Sequence, residues 1–306
     1  MNAIIQKYDL VCQAIEDEYP VLAPMWKNAY SHFGDEWLAD FITNLEMVFG
    51  EINGDSCSNS LQSAFDGYAE FCNDSLRNQA YFEKHGKYKA GSYKECLENY
   101  YHNEEHMMQC YLPGMWLSHY IWPQHYNMLI GFGKRTLLGK VAQAKLFYEV
   151  GVGCGMYSKF TLQRLPNIQG VGFDISQHAL DFTENMVRKF GLDSRYETKN
   201  HDISNSITDK CDFLICQEVL EHIEDPELFC TWLYDMIKPG GIAYITAALN
   251  AAHSDHIFLF RDPLQLEVML RKSGFLPMGL QEEFAVGKKP RNLTPSLAGY
   301  LCQKPI

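Results

Sequence analysis

Residues 149–155 read Glu-Val-Gly-Val-Gly-Cys-Gly and follow an apolar run, 145–151, that has the length and composition of a buried strand. Glycines at Gly151, Gly153 and Gly155 let the backbone turn sharply and lie directly against a ligand, because no Cβ stands in the way. Nineteen residues after Gly155, a second apolar run, 170–175, brings Asp174 to the end of a strand. An acid at that distance accepts hydrogen bonds from both hydroxyls of a ribose. The dinucleotide fingerprint needs G-x-G-x-x-G, and Met156 stands where its third glycine would fall. Glu149 adds a second departure, two residues before the first glycine. The two together favour a ligand with ribose and adenine but no pyrophosphate. No Gly-Lys-Ser/Thr follows the turn, which excludes a phosphate-binding lysine loop.

The elements that must carry these residues alternate after residue 140. Strands are predicted over 145–151, 170–175, 196–203, 211–219 and 241–249. Helices are predicted over 156–165, 176–190 (Ser176 as cap, Gly191 as stop), 226–237 (stopped by Lys-Pro-Gly-Gly) and 263–273. Repeated β-α units of this length build a parallel sheet covered by helices on both faces. Two runs at 278–286 and 296–303, with no helical pattern between them, predict a terminal antiparallel hairpin. Residues 1–140 read differently. Apolar stripes at helical spacing run through Ile4–Ile15, then 37–48 with Asp35 as N-cap, then 61–72, with no alternating strand pattern. A polar turn at 85–92 leads into an aromatic-rich stretch over 93–138. The expected division is a helical domain over 1–140 and an α/β domain over 141–306.

Five motifs occur in order at ordinary spacing: EVGVGCG at 149–155, GFDIS at 172–176, His201-Asp202-Ile203, CQEVLEHI at 216–223 and IKPGG at 237–241. Together they resemble the class I S-adenosylmethionine-dependent methyltransferases over about half the chain. The resemblance implies an α/β fold, a Rossmann-like seven-stranded sheet with a terminal antiparallel strand, here preceded by an all-α N-terminal lid domain. It implies S-adenosylmethionine as cofactor. Glu149, Gly151, Gly153 and Gly155 would line its methionine and ribose side. Asp174 would hold the ribose hydroxyls and Ile175 would meet the adenine. Asp202 would receive the adenine amino group beside Ile203, and Gln217 and Glu218 would lie under the methionine portion. Glu221-His222 recurs in this family with quite different acceptors, which favours a structural role.

Family membership supplies a cofactor and leaves the acceptor open. Two regions reach the carboxyl ends of the strands, where the acceptor must enter. The first holds Tyr111, Trp116, His119, Trp122, His125 and Tyr126, an aromatic density suited to a sulfonium or amine by cation–π attraction. It is similar to the N-terminal helical lids of some biosynthetic small-molecule methyltransferases, and a lid excludes water from the transfer. The second is the loop 250–258, with Asn250, His253, Asp255 and His256. We assign Tyr111, Trp116, His119, Trp122, Asn250 and Asp255 to the substrate, and Tyr126, His125 and His256 to catalysis. The two imidazoles and the carboxylate of the loop are sound metal ligands, but capping is the commoner use of such residues, and no metal is expected. The His102-x-x-Glu105-His106 spelling matches a zinc-protease motif by chance. Cys154 lacks a base partner and reads as a small residue that fits the turn.

Composition narrows the function. The chain has 306 residues, 46% hydrophobic and 21% charged, enough for a full core without staples. Lys and Arg total 26 against 38 Asp and Glu, a net charge of -12, which offers no basic face for nucleic acid. No run approaches the ~20 apolar residues of a membrane span and no secretion signal is visible. Ten scattered cysteines without a CxxC pair read as reduced thiols in a cytoplasmic protein. The expected activity is methyl transfer to a small-molecule metabolite, with no nucleic-acid or membrane partner, and with a homodimer allowed. The alternative is cyclisation of S-adenosylmethionine itself to azetidine-2-carboxylate, with release of methylthioadenosine.

Overall fold

The computed structural model describes the chain apart from residues 54, 55, 90, 206 and 288. The three N-terminal stripes form helices α1 (Asn2–Glu18), α3 (Asp35–Phe49) and α4 (Asn59–His85), and a further helix that no stripe predicted, α2 (Ala23–Phe33), lies between the first two; each buries apolar residues. Asp35 is not the cap of α3. Gly34 takes that position with φ +84°, and Asp35 opens the first turn, where its negative charge meets the positive end of the helix dipole favourably and its carboxylate accepts a hydrogen bond from Tyr30. A two-residue hairpin, Ile52–Asn53 with Ser56–Cys57, interrupts a region predicted as helical throughout. Strands that short leave no periodicity to read. The long α4 (Asn59–His85) starts at Ser58, whose hydroxyl accepts from Leu61 N–H, and stops at left-handed Gly86.

Beyond Ser92 the chain stays helical but uneven. Two wide π-helical turns, Leu97–Tyr101 and Met107–Tyr111, precede α5 (Leu112–Ile121) and α6 (Pro123–Phe132). Such turns break the helical register locally and re-aim side chains. Here they direct Tyr101, Met107 and Tyr111 to one cavity.

The α/β half has seven strands: β1 (Leu146–Val150), β2 (Gln169–Asp174), β3 (Tyr196–Asn200), β4 (Cys211–Cys216), β5 (Ile237–Leu249), β6 (Leu276–Phe284) and β7 (Ser296–Gln303). Their order is β3-β2-β1-β4-β5-β7-β6. β1 to β5 are parallel, and β7 is antiparallel to both of its neighbours. The expected terminal hairpin is therefore present. Helices α7 (Met156–Arg164), α8 (Gln177–Lys189), α9 (Pro226–Asp235) and α10 (Pro263–Lys272) follow the predicted segments. Three boundaries differ by three residues or more. β3 ends at Asn200, so Asp202 and Ile203 lie in a loop beyond it. β4 ends at Cys216, where Gln217 and Glu218 leave the sheet. The Lys-Pro-Gly-Gly segment belongs to the start of β5, with a ladder irregularity opposite Cys211–Phe213, instead of lying outside the strand.

Alternation along β1 and β4 sorts the two sheet faces. Tyr148, Val150, Leu214 and Cys216 pack with α9 and α10 residues such as Phe229, Leu233, Leu266 and Leu270. Phe147, Phe213 and Ile215 point the other way, into a core that also contains Trp37, Phe41, Leu45 and Phe132 of the N-terminal helices. A buried polar chain ties the halves as well. Lys159 of α7 donates to Asn44 of α3 (3.1 Å), Asn44 donates to the Tyr120 hydroxyl (2.9 Å), and that hydroxyl donates to Asp40 (3.1 Å). Burial pulls the Lys159 ammonium down to about 8. Among the described residues no helix is long and apolar enough to cross a membrane.

Candidate functional site

At the carboxyl ends of β1, β2 and β4 lies a cavity of about 220 Å³, closed on the other side by the helical half. The glycine turn forms its floor. Gly151 has φ +73°, and a Cβ there would come within 2.3 Å of the Val219 methyl, so only glycine fits. Gly155 caps α7 with φ +70°, but its open side meets Thr183 and Met186 of α8. Unlike Gly151 and Gly153, it therefore holds the turn against α8 and does not line the cavity.

Asp174 lines the floor with its carboxylate held by backbone donors: Oδ1 accepts from Ser176 N–H at 2.8 Å and Oδ2 faces Gly153 N–H at 3.4 Å. Burial raises its pKa while those N–H groups oppose the rise. Lone pairs remain on both oxygens for further donors. Ile175, Asp202 and Ile203 line the same end. Glu149 is buried under the turn, its carboxylate accepting from Ser158, which also lies 2.8 Å from the Tyr196 hydroxyl. Burial raises Glu149 to about 8. The folded, ligand-free protein therefore keeps a proton on Glu149 that the unfolded chain releases near its ordinary value of 4.5. The stability this confers is complete below pH 4.5 and is lost as pH rises toward 8. We expect Glu149→Gln to flatten the fall in stability between pH 5 and 8 by on the order of a few kcal/mol. Urea melts at the two pH values check this, and an unchanged pH slope in the variant would contradict it.

The opposite wall is aromatic. Trp122 stands 5.6 Å from the Phe71 ring and 4.9 Å from the His125 ring, its indole N–H fixed on the Tyr68 hydroxyl at 3.0 Å. Tyr111 packs edge-on to Phe71. His119 donates from Nδ1 to the Met115 carbonyl (2.8 Å), and burial lowers it to about 4. Ser118 Oγ gives its one proton to the same carbonyl, so it must accept from Nδ1–H of His125 at 3.0 Å. His125 Nε2 is thus the unprotonated nitrogen, 3.9 Å from a Glu218 carboxylate oxygen. Burial, then the neighbouring His119, holds His125 neutral, and burial raises Glu218 to about 7. Beside them Gln217 has a buried amide nitrogen without a partner, while Thr246 Oγ1 donates to its carbonyl oxygen at 3.3 Å. The Asp174 carboxylate, the orphan Gln217 amide and the aromatic wall are a donor and acceptor set that suits an adenosyl sulfonium with a zwitterionic amino acid tail.

Four other predicted residues sit elsewhere. Trp116 is fully buried between Phe49 and Tyr120, in the helical core. Tyr126 packs against Phe33 with the rings tilted by 57°, away from the cavity. Asn250, at φ +50°, donates to the Arg261 carbonyl and accepts on its own carbonyl from Gln79, so it shapes the loop. Asp255 is buried behind the wall, bonded to His253 Nδ1 (2.8 Å) and to the Tyr101 hydroxyl (3.0 Å). That pairing occupies two of the three loop residues named as conceivable metal ligands, His253 and Asp255. His256 reaches the cavity, its Nδ1 donating to the Ala251 carbonyl at 2.8 Å, and burial beside His222 lowers it to about 3. Among the described residues, Glu221, His222 and His256 instead bring one ligand atom each to within 4.8 Å of one another. Phe71, Tyr101, Met107 and Met115 also line the cavity and were not singled out in the sequence, and His253, named there only as a conceivable metal ligand, lines it too.

The strand order, the glycine turn and the acid ending β2 define the class I, S-adenosylmethionine-binding methyltransferase fold. Residues 148–243 match a family model described as a methyltransferase domain. Among curated proteins, the ubiquinone biosynthesis O-methyltransferase of Coxiella burnetii (strain RSA 493 / Nine Mile phase I) is 28% identical over 99 residues, 32% of this chain and 42% of the relative. The ubiquinone biosynthesis O-methyltransferase of Azoarcus sp. (strain BH72) is 28% identical over 116 residues, 37% of this chain and 48% of the relative. The chain thus spans less than half the length of these relatives. An O-methyltransferase family protein from Burkholderia thailandensis shares the fold over 98% of this chain and 95% of its own, with TM-score 0.55 and 13% identity.

Proposed function

We propose that this protein is an S-adenosylmethionine-dependent methyltransferase acting on a small-molecule acceptor. One observation carries the reading. The glycine turn with Asp174, the aromatic wall and the neutral His125 beside Glu218 all open onto the same cavity. The bound cofactor supplies an activated methyl group on a sulfonium sulfur. Asp174 orients the ribose, and Asp202 and Ile203 hold the adenine end. Gln217 offers its unpartnered amide to the amino acid tail. The faces of Phe71, Tyr111 and Trp122 stabilise the cation and exclude water. Residues 1–140 act as a lid and supply the acceptor side through residues such as His119, while His256 lines the cavity from the loop after β5. The names of the curated relatives support a hydroxyl acceptor. His125 Nε2 then removes the acceptor proton as displacement proceeds, Nδ1 staying anchored on Ser118. All the other residues serve alignment, which is the main demand of an in-line transfer. The ten free cysteines support a reducing compartment, the cytosol, as the place of work.

The test is product analysis by mass spectrometry after incubation with S-adenosylmethionine, alone and with a panel of small phenols and amines. We expect S-adenosylhomocysteine to appear only when an acceptor is present. Methylthioadenosine building up from the cofactor alone, faster than spontaneous breakdown, would replace methyl transfer with cyclisation.

A further inference from the structure

We propose that Glu221, His222 and His256 form a binding site for one divalent first-row metal ion in the wall of the cavity. The three residues come from two loops at the carboxyl ends of β4 and β5, and their ligand atoms lie within 4.8 Å of one another. Metal–ligand bonds of about 2.0–2.2 Å hold ligand atoms no more than about 4.4 Å apart, so small side-chain rotations bring all three onto one cation.

Each ligand is held by its far side and free on its near side. Glu221 is fully buried. Its Oε1 accepts from Ala248 N–H at 3.0 Å, while its Oε2 has no partner at all. A buried carboxylate oxygen without a donor is costly, and something must satisfy it. His222 directs Nδ1 at the Asp255 carbonyl (3.1 Å), and His256 directs Nδ1 at the Ala251 carbonyl (2.8 Å). Both carbonyls demand a proton on Nδ1, which leaves the Nε2 lone pair of each ring free. This backbone anchoring of the remote nitrogen is the usual support of a metal-bound imidazole. The rings stand edge to face, with centroids 4.7 Å apart. Asp255 stiffens the arrangement further. Its carboxylate accepts from Tyr101 and from His253, so the loop carrying His256 is fixed from both sides.

Two imidazoles and one carboxylate suit zinc, cobalt, manganese or ferrous iron better than calcium or magnesium, which prefer an all-oxygen shell. His222 and His256 line the cavity whereas Glu221 lies behind them, so the remaining coordination positions face the space left for the acceptor. The site itself is independent of the methyl-transfer reading, because it needs neither cofactor nor acceptor.

The test is a titration of the full-length, chelator-treated protein with Zn2+ and Co2+, without cofactor or acceptor, read by calorimetry and, for Co2+, by visible absorption. We expect one equivalent to bind, with affinity reduced about 10–100-fold or more in His256→Gln and Glu221→Gln. His32→Asn, which removes an exposed histidine, should leave the isotherm unchanged. Thermal melts confirm that the variants fold. If Glu221→Gln unfolds, His256→Gln carries the test, since it keeps the buried carboxylate and its bond to Ala248. Wild-type protein that binds neither ion, or binds both as well when His256 is replaced, would overturn the site.

Discussion

Replacing Asp174 by Ala should weaken S-adenosylmethionine binding by about 100-fold to 10,000-fold. A carboxylate that accepts two ribose hydroxyls makes two hydrogen bonds to a charged group, each worth about 1.5–3 kcal/mol, and together they span that range of affinity. The geometry favours a loss near the upper end. Asp174 is prepositioned by Ser176 and Gly153 N–H groups, so little ordering cost remains to be met on binding. Asp174→Asn keeps one acceptor oxygen and should fall between the two. Calorimetry on folded protein checks the pair. Unchanged affinity in Asp174→Ala would remove the ribose from β2.

The second large effect concerns the two halves of the chain. A fragment of residues 141–306 should show no cooperative thermal transition and no cofactor binding. Phe147, Phe160, Phe213 and Ile242 share a core with Trp37, Phe41, Leu45 and Phe132, so the cut exposes a whole sheet face. Each large apolar side chain uncovered costs about 1.5–3 kcal/mol, and a handful of them equals the net stability of an ordinary domain. Lys159 would also lose Asn44, and with it the buried polar chain to Asp40. A fragment that melts cooperatively and binds S-adenosylmethionine as the full chain does would make the helical half a separable module, contrary to the lid role proposed for it.

The difference between what was legible in the sequence and what was not follows from the physics of each residue. Gly151, Gly153 and Asp174 were legible because their chemistry demands particular residue types at particular spacings. The parallel sheet and its closing antiparallel strand were legible from strand and helix periods. Within the helical half, periodicity shows that a residue faces inward but not whether it meets core or cavity. Trp116 and Tyr126 therefore look like Tyr111 and Trp122, yet Trp116 lies against Phe49 and Tyr126 against Phe33, while the other two line the cavity. Phe71 and Tyr101 were hidden for the same reason, and the π-helical turn at Leu97–Tyr101 shifts the register on which any face assignment depends. The meeting of Glu221 and His222 with His256 joins two loops far apart in sequence. Only the β4–β5 pairing brings them together, and no local pattern records it.

The most direct test of the account is a crystal structure of the protein with S-adenosylhomocysteine. It should show both ribose hydroxyls within hydrogen-bonding distance of Asp174, the adenine beside Asp202 and Ile203, and the sulfur turned toward Tyr111, Trp122 and His125. An adenosyl group bound outside this cavity, or bound within it with its sulfur turned away from the aromatic wall, would contradict the assignment of the cavity as the site of methyl transfer.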